Sequence, residues 1–420
     1  MDFKKLYLRY SKNQLLKGSL ILFVGSNIAN VGSYLYHLLM GRMLGPADYG
    51  VLVSLISVLY ILGVAAITLN TVVVRFSSTF RAKGEYGKIY SLFRDFTEKF
   101  FLFGLFLFGI YFVFSHQLAS FLHVENFYSS VLITGSLVIF AFLAPINNGL
   151  LQSLYKFTFL ASNQVFSIFL KLAVSFALVK SGLSVFGALI GSFTAQLVSY
   201  LVSYLPLGFL KKYKTKKITV GWGETANYAA PAFVSVLALT SFYTSDVILV
   251  KHFFSAHEAG LYAALGTLGK IVLFASGAII LAMFPIIAQK KEKGEDYKKV
   301  LKQSLLGVGL ISALITLIYF GFPRLMVTTL YGKEYLEVAP LLGYFAVFIA
   351  VYSLVNVLVN FFLSVKETSV ALMVLFFALM QIVLIWFFHQ SVFQVILMSI
   401  IAATLLLFSL LVSYLQYAKR

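Results

Sequence analysis

Lys270, Lys171, Arg75, Arg42 and Asp246 stand within or at the ends of long apolar runs in a 420-residue chain. Burying one charged side chain in hydrocarbon costs at least about 2.5 kcal/mol, so each needs water, a counter-charge or a bound ion beside it. Lys270 makes the strongest demand. It lies about ten residues from the outer end of its run, roughly 15 Å at 1.5 Å per residue, beyond easy reach of either interface. Lys171 is a little shallower, and there snorkelling or capping of a neighbouring helix competes with lining a wet interior. Arg75 ends its run on the inner side, where an ordinary excess of cations explains it; Arg42 stands at an outer end, against that bias, which favours a pairing or binding role. Lysine and arginine in such places hold phosphate or carboxylate groups through charge-assisted hydrogen bonds. Asp246 falls near the C-terminal end of its run, where the helix dipole disfavours an anion. A cation is therefore expected beside it, Lys251 by proximity in sequence or Lys270 from the next run. A coupling-ion or gating site and a plain interfacial acid both fit.

Neutral polar residues add a second pattern. Asn27, Asn30, Tyr34 and His37 are spaced by three, four and three residues, which puts them on one helical face, and Asn356 and Asn360 share a face in the same way. Such amides and hydroxyls can bind ligand hydroxyls in a hydrated cavity or hydrogen-bond neighbouring helices. Other chemistries lack their residues. With one acid inside an apolar run, paired carboxylates for acid and base work are missing. His37, His116, His123, His252, His257 and His389 are scattered near run ends and read as interfacial residues, so no metal site is expected. Neither a phosphate-cradling GxxxxGKS/T loop nor HExxH occurs, and the absence of cysteine removes thiol nucleophiles and disulfides. The sequence implies neither an enzyme nor a cofactor.

The elements that must carry these residues are membrane-spanning helices. Apolar residues make up 60% of the chain and charged residues 11%, against roughly a quarter charged in globular domains. Runs near 16–40, 50–74, 96–115, 128–152, 157–180, 183–206, 225–250, 260–287, 300–322, 337–363, 369–388 and 392–416 each approach the roughly 20 residues that cross about 30 Å of hydrocarbon. They lack two-residue alternation, which excludes an outer-membrane barrel. An all-α polytopic fold of about twelve spans follows.

Placing both termini and the even-to-odd connections in the cytoplasm collects most of the 33 basic residues there. Only Arg42, Lys180, Lys251, Arg324 and Lys333 fall outside, with Lys171 and Lys270 inside spans. The net charge of +18 is thus mostly topological and contacts anionic lipid head groups, with no nucleic-acid partner implied. Met1 to Lys17, basic and apolar without a small-residue cleavage site, reads as a retained cytoplasmic amphipathic segment.

The two halves repeat at a shift of 210 residues. Gly45-Pro46-Ala47-Asp48-Tyr49-Gly50 is matched by Ser255-Ala256-His257-Glu258-Ala259-Gly260, Lys83-Gly84-Glu85 with Lys88 by Lys293-Gly294-Glu295 with Lys298, and Lys156 and Thr158 by Lys366 and Thr368. A duplicated six-span unit explains them: residues 1–206 as one lobe, 225–420 as the other, and a basic cytoplasmic linker at 207–224. Because six is even, the repeat is parallel. Pro145, Pro231 and Pro285 can bend spans four, seven and eight.

Lys17-Gly18-Ser19 leading into a span, then Leu44-Gly45-Pro46-Ala47-Asp48-Tyr49-Gly50, resembles the opening of the bacterial polysaccharide transporters, the Wzx-like oligosaccharide flippases of the multidrug/oligosaccharidyl-lipid/polysaccharide (MOP) superfamily. Ser245-Asp246-Val247-Ile248-Leu249-Val250-Lys251, Glu258-Ala259-Gly260-Leu261-Tyr262-Ala263-Ala264 and Phe284-Pro285 are similar to that family's seventh and eighth spans. The resemblance implies a MATE-like pair of six-helix lobes around a cavity that opens to alternate sides of the cytoplasmic membrane. It implies a lipid-linked oligosaccharide, a polyprenyl diphosphate, as substrate for cell-surface polysaccharide synthesis, and leaves room for a coupling cation (H+ or Na+) and polysaccharide-assembly proteins as partners. On this view Lys270, Lys171, Arg75 and Arg42 meet the diphosphate, Asn27, Asn30 and Tyr34 meet sugar, and Asp246 gates. An ion-coupled multidrug exporter of the same superfamily is the alternative; it would be expected to place carboxylates in its cavity. A membrane glycan polymerase would need a large external loop or an acidic catalytic motif.

Overall fold

The computed structural model describes residues 14–213 and 222–417. Every element in that range is helical, the arrangement that satisfies backbone groups without water. Among the described residues, ten helices are long and apolar enough to cross a membrane. Two of them do so twice: Leu20–Ala82 has 63 residues and Phe157–Val202 has 46, about 95 and 70 Å of helix. The first turns at Gly45, whose φ of 71° suits a residue without a side chain, and resumes at Pro46, where the missing N–H costs nothing. The second turns through Val179–Leu183, with Gly182 at φ 93°. With those two turns, the ten helical stretches provide twelve segments of crossing length. Leu281, Leu310 and Phe387 are each about 70% exposed (71%, 71% and 73%), as side chains facing lipid would be.

The connections are shorter than the sequence suggests. Span two continues to Ala82 and span three starts at Tyr86, so the expected 75–95 loop shrinks to a turn around Gly84. Span eight likewise runs over Ala256–Glu292. Both turns use the duplicated Lys-Gly-Glu. Gly84 and Gly294 take φ of 72° and 69°. Glu85 N–H donates to Phe80 O and Gly84 N–H to Arg81 O; Glu295 N–H donates to Lys290 O and Gly294 N–H to Lys291 O. That pair of bonds caps the last carbonyls of a helix around a left-handed residue. The repeat is therefore structural here, with 210 residues between equivalent atoms. Further on it slips by one: the left-handed residues after spans four and ten are Tyr155 and Lys366, so Lys156 and Lys366 do not occupy equivalent places.

The other end of spans two and eight also matches. Ser255 and Glu258 form a reciprocal capping box, and Gly45 and Asp48 hold the corresponding positions.

By contacts the chain divides into a first unit, Met1–Met43 with Leu62–Thr225, and a second, Leu44–Ile61 with Ala226–Arg420. Residues 44–61, which the sequence assigns to the first lobe, pack with the second unit. In the first unit, Gly18, Gly25 and Gly32, at seven-residue spacing, let span one approach Phe157, Ala161 and Ile168 of span five. Leu69, Val73, Ile89, Phe96, Leu150 and Leu210 form an apolar core there. In the second unit, span two's opening half crosses span eight at Gly50 and Gly260. A Cβ on Gly260 would stand 1.6 Å from Pro46 O, and one on Gly50 2.7 Å from Gly260 N. Neither position accepts a side chain without parting the helices.

Candidate functional site

Asp246 sits where the sequence reading did not put it. Span seven is interrupted: one helix ends at Phe242 and another runs from Ser245 to Phe253, with Thr244 at its N-cap. Thr240, Ser241, Thr244 and Ser245 surround the break. Thr244 Oγ1 donates to Thr240 O and the Ser241 and Ser245 hydroxyls pair at 2.7 Å, local bonds that compete with a regular helix. Asp246 therefore occupies the first turn of a helix, where the dipole favours an anion, not the last turn, where it would oppose one. It is buried, 1% exposed. Val247 N–H donates to Oδ1 at 2.8 Å and Tyr262 Oη–H to Oδ2 at 2.7 Å. The expected cation is not its hydrogen-bond partner, although Lys270 lies within electrostatic reach of it.

Lys270 is half-buried, with Nζ 5.3 Å from the centre of the Tyr60 ring and 5.6 Å from that of Tyr243. Two aromatic faces stabilise an ammonium while leaving its three protons available. Tyr60 is also the residue that corresponds to Lys270 in the duplication, as Gly50 corresponds to Gly260. Spans two and eight therefore meet through equivalent residues at two levels ten residues apart, about 15 Å along the helix. Between them Tyr49 is fully buried, its hydroxyl 2.9 Å from Thr267 Oγ1 and 3.0 Å from Tyr331 Oη.

Lys171 has a different setting, inside the first unit. Its Nζ lies 3.6 Å from the centre of the Tyr36 ring, and the Tyr36 hydroxyl donates to Ala188 O at 3.1 Å. Lys171 lines a cavity of about 340 Å³ bounded by spans one, four, five and six. Its polar lining along span six runs from Ser192 to Ser203, about 16 Å. Asn163 donates to Ser199 O and Oγ, and Ser26 donates to Gln164 Oε1. Among the described residues, no carboxylate lines this cavity.

The remaining expected residues are more scattered. Arg75 is exposed and lies seven residues inside the end of the extended span-two helix. Arg42 is exposed just before the Gly45 turn. Asn27 and Asn30 are exposed on span one, roughly 200° and 140° round from Gly25 at 100° per residue, and so away from span five. Asn27 Nδ2 donates to Phe23 O of its own helix. The Tyr34 hydroxyl is buried with no hydrogen-bond partner, and His37 is buried edge-on to Tyr36. Asn360 donates to Asn356, so that pair satisfies itself along span ten. The stripe does not converge with Lys171: Ala29 and Ser33, not the asparagines, line the cavity.

Several residues escaped the sequence reading. Asp95 is a second buried acid, 4% exposed and paired with Lys99 at 2.7 Å, because span three begins ten residues earlier than its apolar run. Lys251, read as external, is 2% exposed. Gln381 is fully buried and donates to Phe242 O and Ser399 Oγ. Asn163, Gln164 and Gln196 of the cavity carried a signal that was overlooked, since three amides in spans five and six are unusual in lipid-facing helices. Among the described residues, no group of three His, Asp or Glu side chains could hold a metal.

Known proteins supply the context for this geometry. A family profile described as polysaccharide biosynthesis protein matches residues 39–340. No curated protein matches the sequence significantly. The fold is similar to that of an inward-facing multidrug resistance MATE family transporter of the MOP superfamily, with TM-score 0.76, 14% identity, and coverage of 92% of this chain and 95% of that one. It is similar also to the lipid II flippase MurJ in an inward closed conformation, with TM-score 0.70, 15% identity and coverage of 94% and 87%. A third, a MOP transporter from Pyrococcus furiosus reported to have a binding pocket of reverse polarity, gives TM-score 0.60, 15% identity and 95% coverage of both chains. The chain belongs to the polysaccharide biosynthesis protein family and is a multi-pass membrane protein with the MATE-like fold of MOP transporters and flippases.

Proposed function

We propose that this protein carries a polyprenyl-diphosphate-linked oligosaccharide from the inner to the outer leaflet of the cytoplasmic membrane, by alternating access, for assembly of a surface polysaccharide. The observation that carries this reading is Lys270: an ammonium well inside a 37-residue uninterrupted helix, held over two tyrosines, in a chain of the polysaccharide family. A diphosphate is the anion such a substrate brings to that depth. Lys171, Arg75 and Arg42 are secondary cations along the way, and Asn27, Asn30 and Tyr34 contact sugar. Asp246, held by Tyr262, attracts Lys270 when no phosphate is present, and substrate releases that attraction. The acids Asp246 and Asp95 are both engaged by protein groups, a poor arrangement for exporting cationic drugs.

Both termini and the 207–224 linker face the cytoplasm in this reading, although residues 1–13, 214–221 and 418–420 lie outside the described structure. The crossing of Gly50 and Gly260 is the outer gate in its closed form, and residues 44–61 leave span eight when the gate opens. In a flippase-deficient strain, Lys270→Arg should restore surface polysaccharide best, Lys270→Ala less, and Lys270→Glu not at all; full restoration by Lys270→Glu at normal expression would refute the mechanism. A cysteine placed at 214 should resist an impermeant reagent applied outside the cell, and its labelling from outside would reverse the orientation.

A further inference from the structure

We propose that the cavity of the first unit is a pocket for one anionic sugar unit, a uronate or a sugar phosphate, with Lys171 on its charge. The inference rests on the flippase reading for where such a sugar comes from, but the pocket is argued from its own lining.

Three features define what fits. The volume of about 340 Å³ lies at the lower end of the roughly 300–1,000 Å³ of ligand pockets, room for a ring and some water but not for a whole oligosaccharide. The polar groups are neutral amides and hydroxyls: Asn148, Asn163, Gln164, Gln196 and Ser199 offer donors and acceptors together, as a polyhydroxylated ring requires. Asn163 is 6% exposed, and while its Nδ2 is used by Ser199 its Oδ1 has no protein partner. A buried acceptor left unmade costs roughly 1–3 kcal/mol, and a ligand hydroxyl recovers it. Finally, Lys171 brings a positive charge among lining residues that include no carboxylate. The Tyr36 face steadies the ammonium but does not neutralise it. The counter-charge is left to the ligand.

The duplication supplies an internal control. Span five carries Thr158, Ser162, Asn163, Gln164, Ser167, Lys171 and Ser175, whereas span eleven, its partner in the repeat, runs Val370 to Phe387 with Gln381 as its one hydrogen-bonding side chain apart from Trp386. A six-helix unit of this fold evidently packs without such a lining, so the polarity of the first copy is not a requirement of helix packing.

The test is binding by purified full-length protein in nanodiscs, with methyl β-glucuronide, glucose 1-phosphate, methyl β-glucoside and inorganic phosphate as probes. The glucuronide and glucose 1-phosphate should bind at least tenfold more tightly than the neutral glucoside and than inorganic phosphate. Lys171→Gln should bring the anionic probes down to the glucoside's level, and Lys171→Arg should keep the preference. Thermal unfolding of each variant separates misfolding from lost binding, and Lys171→Arg preserves the test if Lys171→Gln fails to fold. Inorganic phosphate binding as tightly as glucose 1-phosphate would make this a phosphate site and overturn the sugar assignment. Equal binding of all the sugars, no binding, or indifference to Lys171→Gln would overturn it too. A protein that transports but binds none of the probes keeps the flippase reading and loses the pocket; one that binds them but fails to transport does the reverse.

Discussion

Lys171 and Lys270 carry the same charge in two surroundings that differ in almost every other respect. Lys171 lies in the first unit among amides and hydroxyls, over one tyrosine, in a cavity whose described lining includes no acid. Lys270 lies in the second unit between two tyrosines, within electrostatic reach of an aspartate that Tyr262 already holds. A lysine with many neutral hydrogen-bonding neighbours suits a small hydroxylated anion that stays for recognition. A lysine between aromatic faces, balanced against a distant carboxylate, suits an anion that arrives, displaces the attraction and leaves. Depth alone marks both residues in the sequence; only their neighbours separate recognition from passage.

The largest effect should come from fixing the crossing on which Lys270 rides. Cysteine pairs scanned over 46–50 and 256–260, in a chain with no native cysteine, should include one that oxidises without backbone movement and stops transport, with recovery on reduction. The glucuronide should still bind the cross-linked protein, because the pocket belongs to the first unit. Loss of both, or of neither, would erase the distinction between the two lysines. A smaller effect is expected at Asp246. Asp246→Asn keeps an acceptor for Tyr262 and should change transport a few-fold without altering probe binding. Asp246→Ala removes the acceptor of the Tyr262 hydroxyl and should also destabilise the protein by roughly 1–3 kcal/mol, read as a drop in melting temperature. The smallest should be Tyr49→Phe, which removes the hydrogen bonds to Thr267 and Tyr331 at about 1 kcal/mol and should speed opening of the crossing slightly, measured as faster cysteine labelling near Gly50.

Span count and duplication were legible because each is written in composition and spacing. Hydrophobic runs report the bilayer, and the Lys-Gly-Glu turns repeat since a left-handed residue closes the same pair of helix ends twice. The break before Asp246 was not legible. No proline or glycine marks it; four hydroxyl residues do, and Ser and Thr are common enough in membrane helices to carry little warning. Asp95 was missed because hydropathy reports where lipid begins, whereas the helix and its buried face begin at Tyr86. The cavity around Lys171 needed four spans brought together, a relation that no single-helix pattern holds. The Asn27, Asn30 and Tyr34 stripe shows the converse. Its periodicity is real, but the face it defines turns away from span five and from the cavity around Lys171.

The most direct measurement is flipping of a fluorescent polyprenyl-diphosphate glycan in proteoliposomes, comparing the native protein with Lys270→Glu at equal incorporation. The account predicts that the native protein moves the lipid across the bilayer and that Lys270→Glu slows it at least a hundredfold, with Lys270→Arg close to native. Equal rates for native protein and Lys270→Glu would contradict it and leave Lys270 a structural residue.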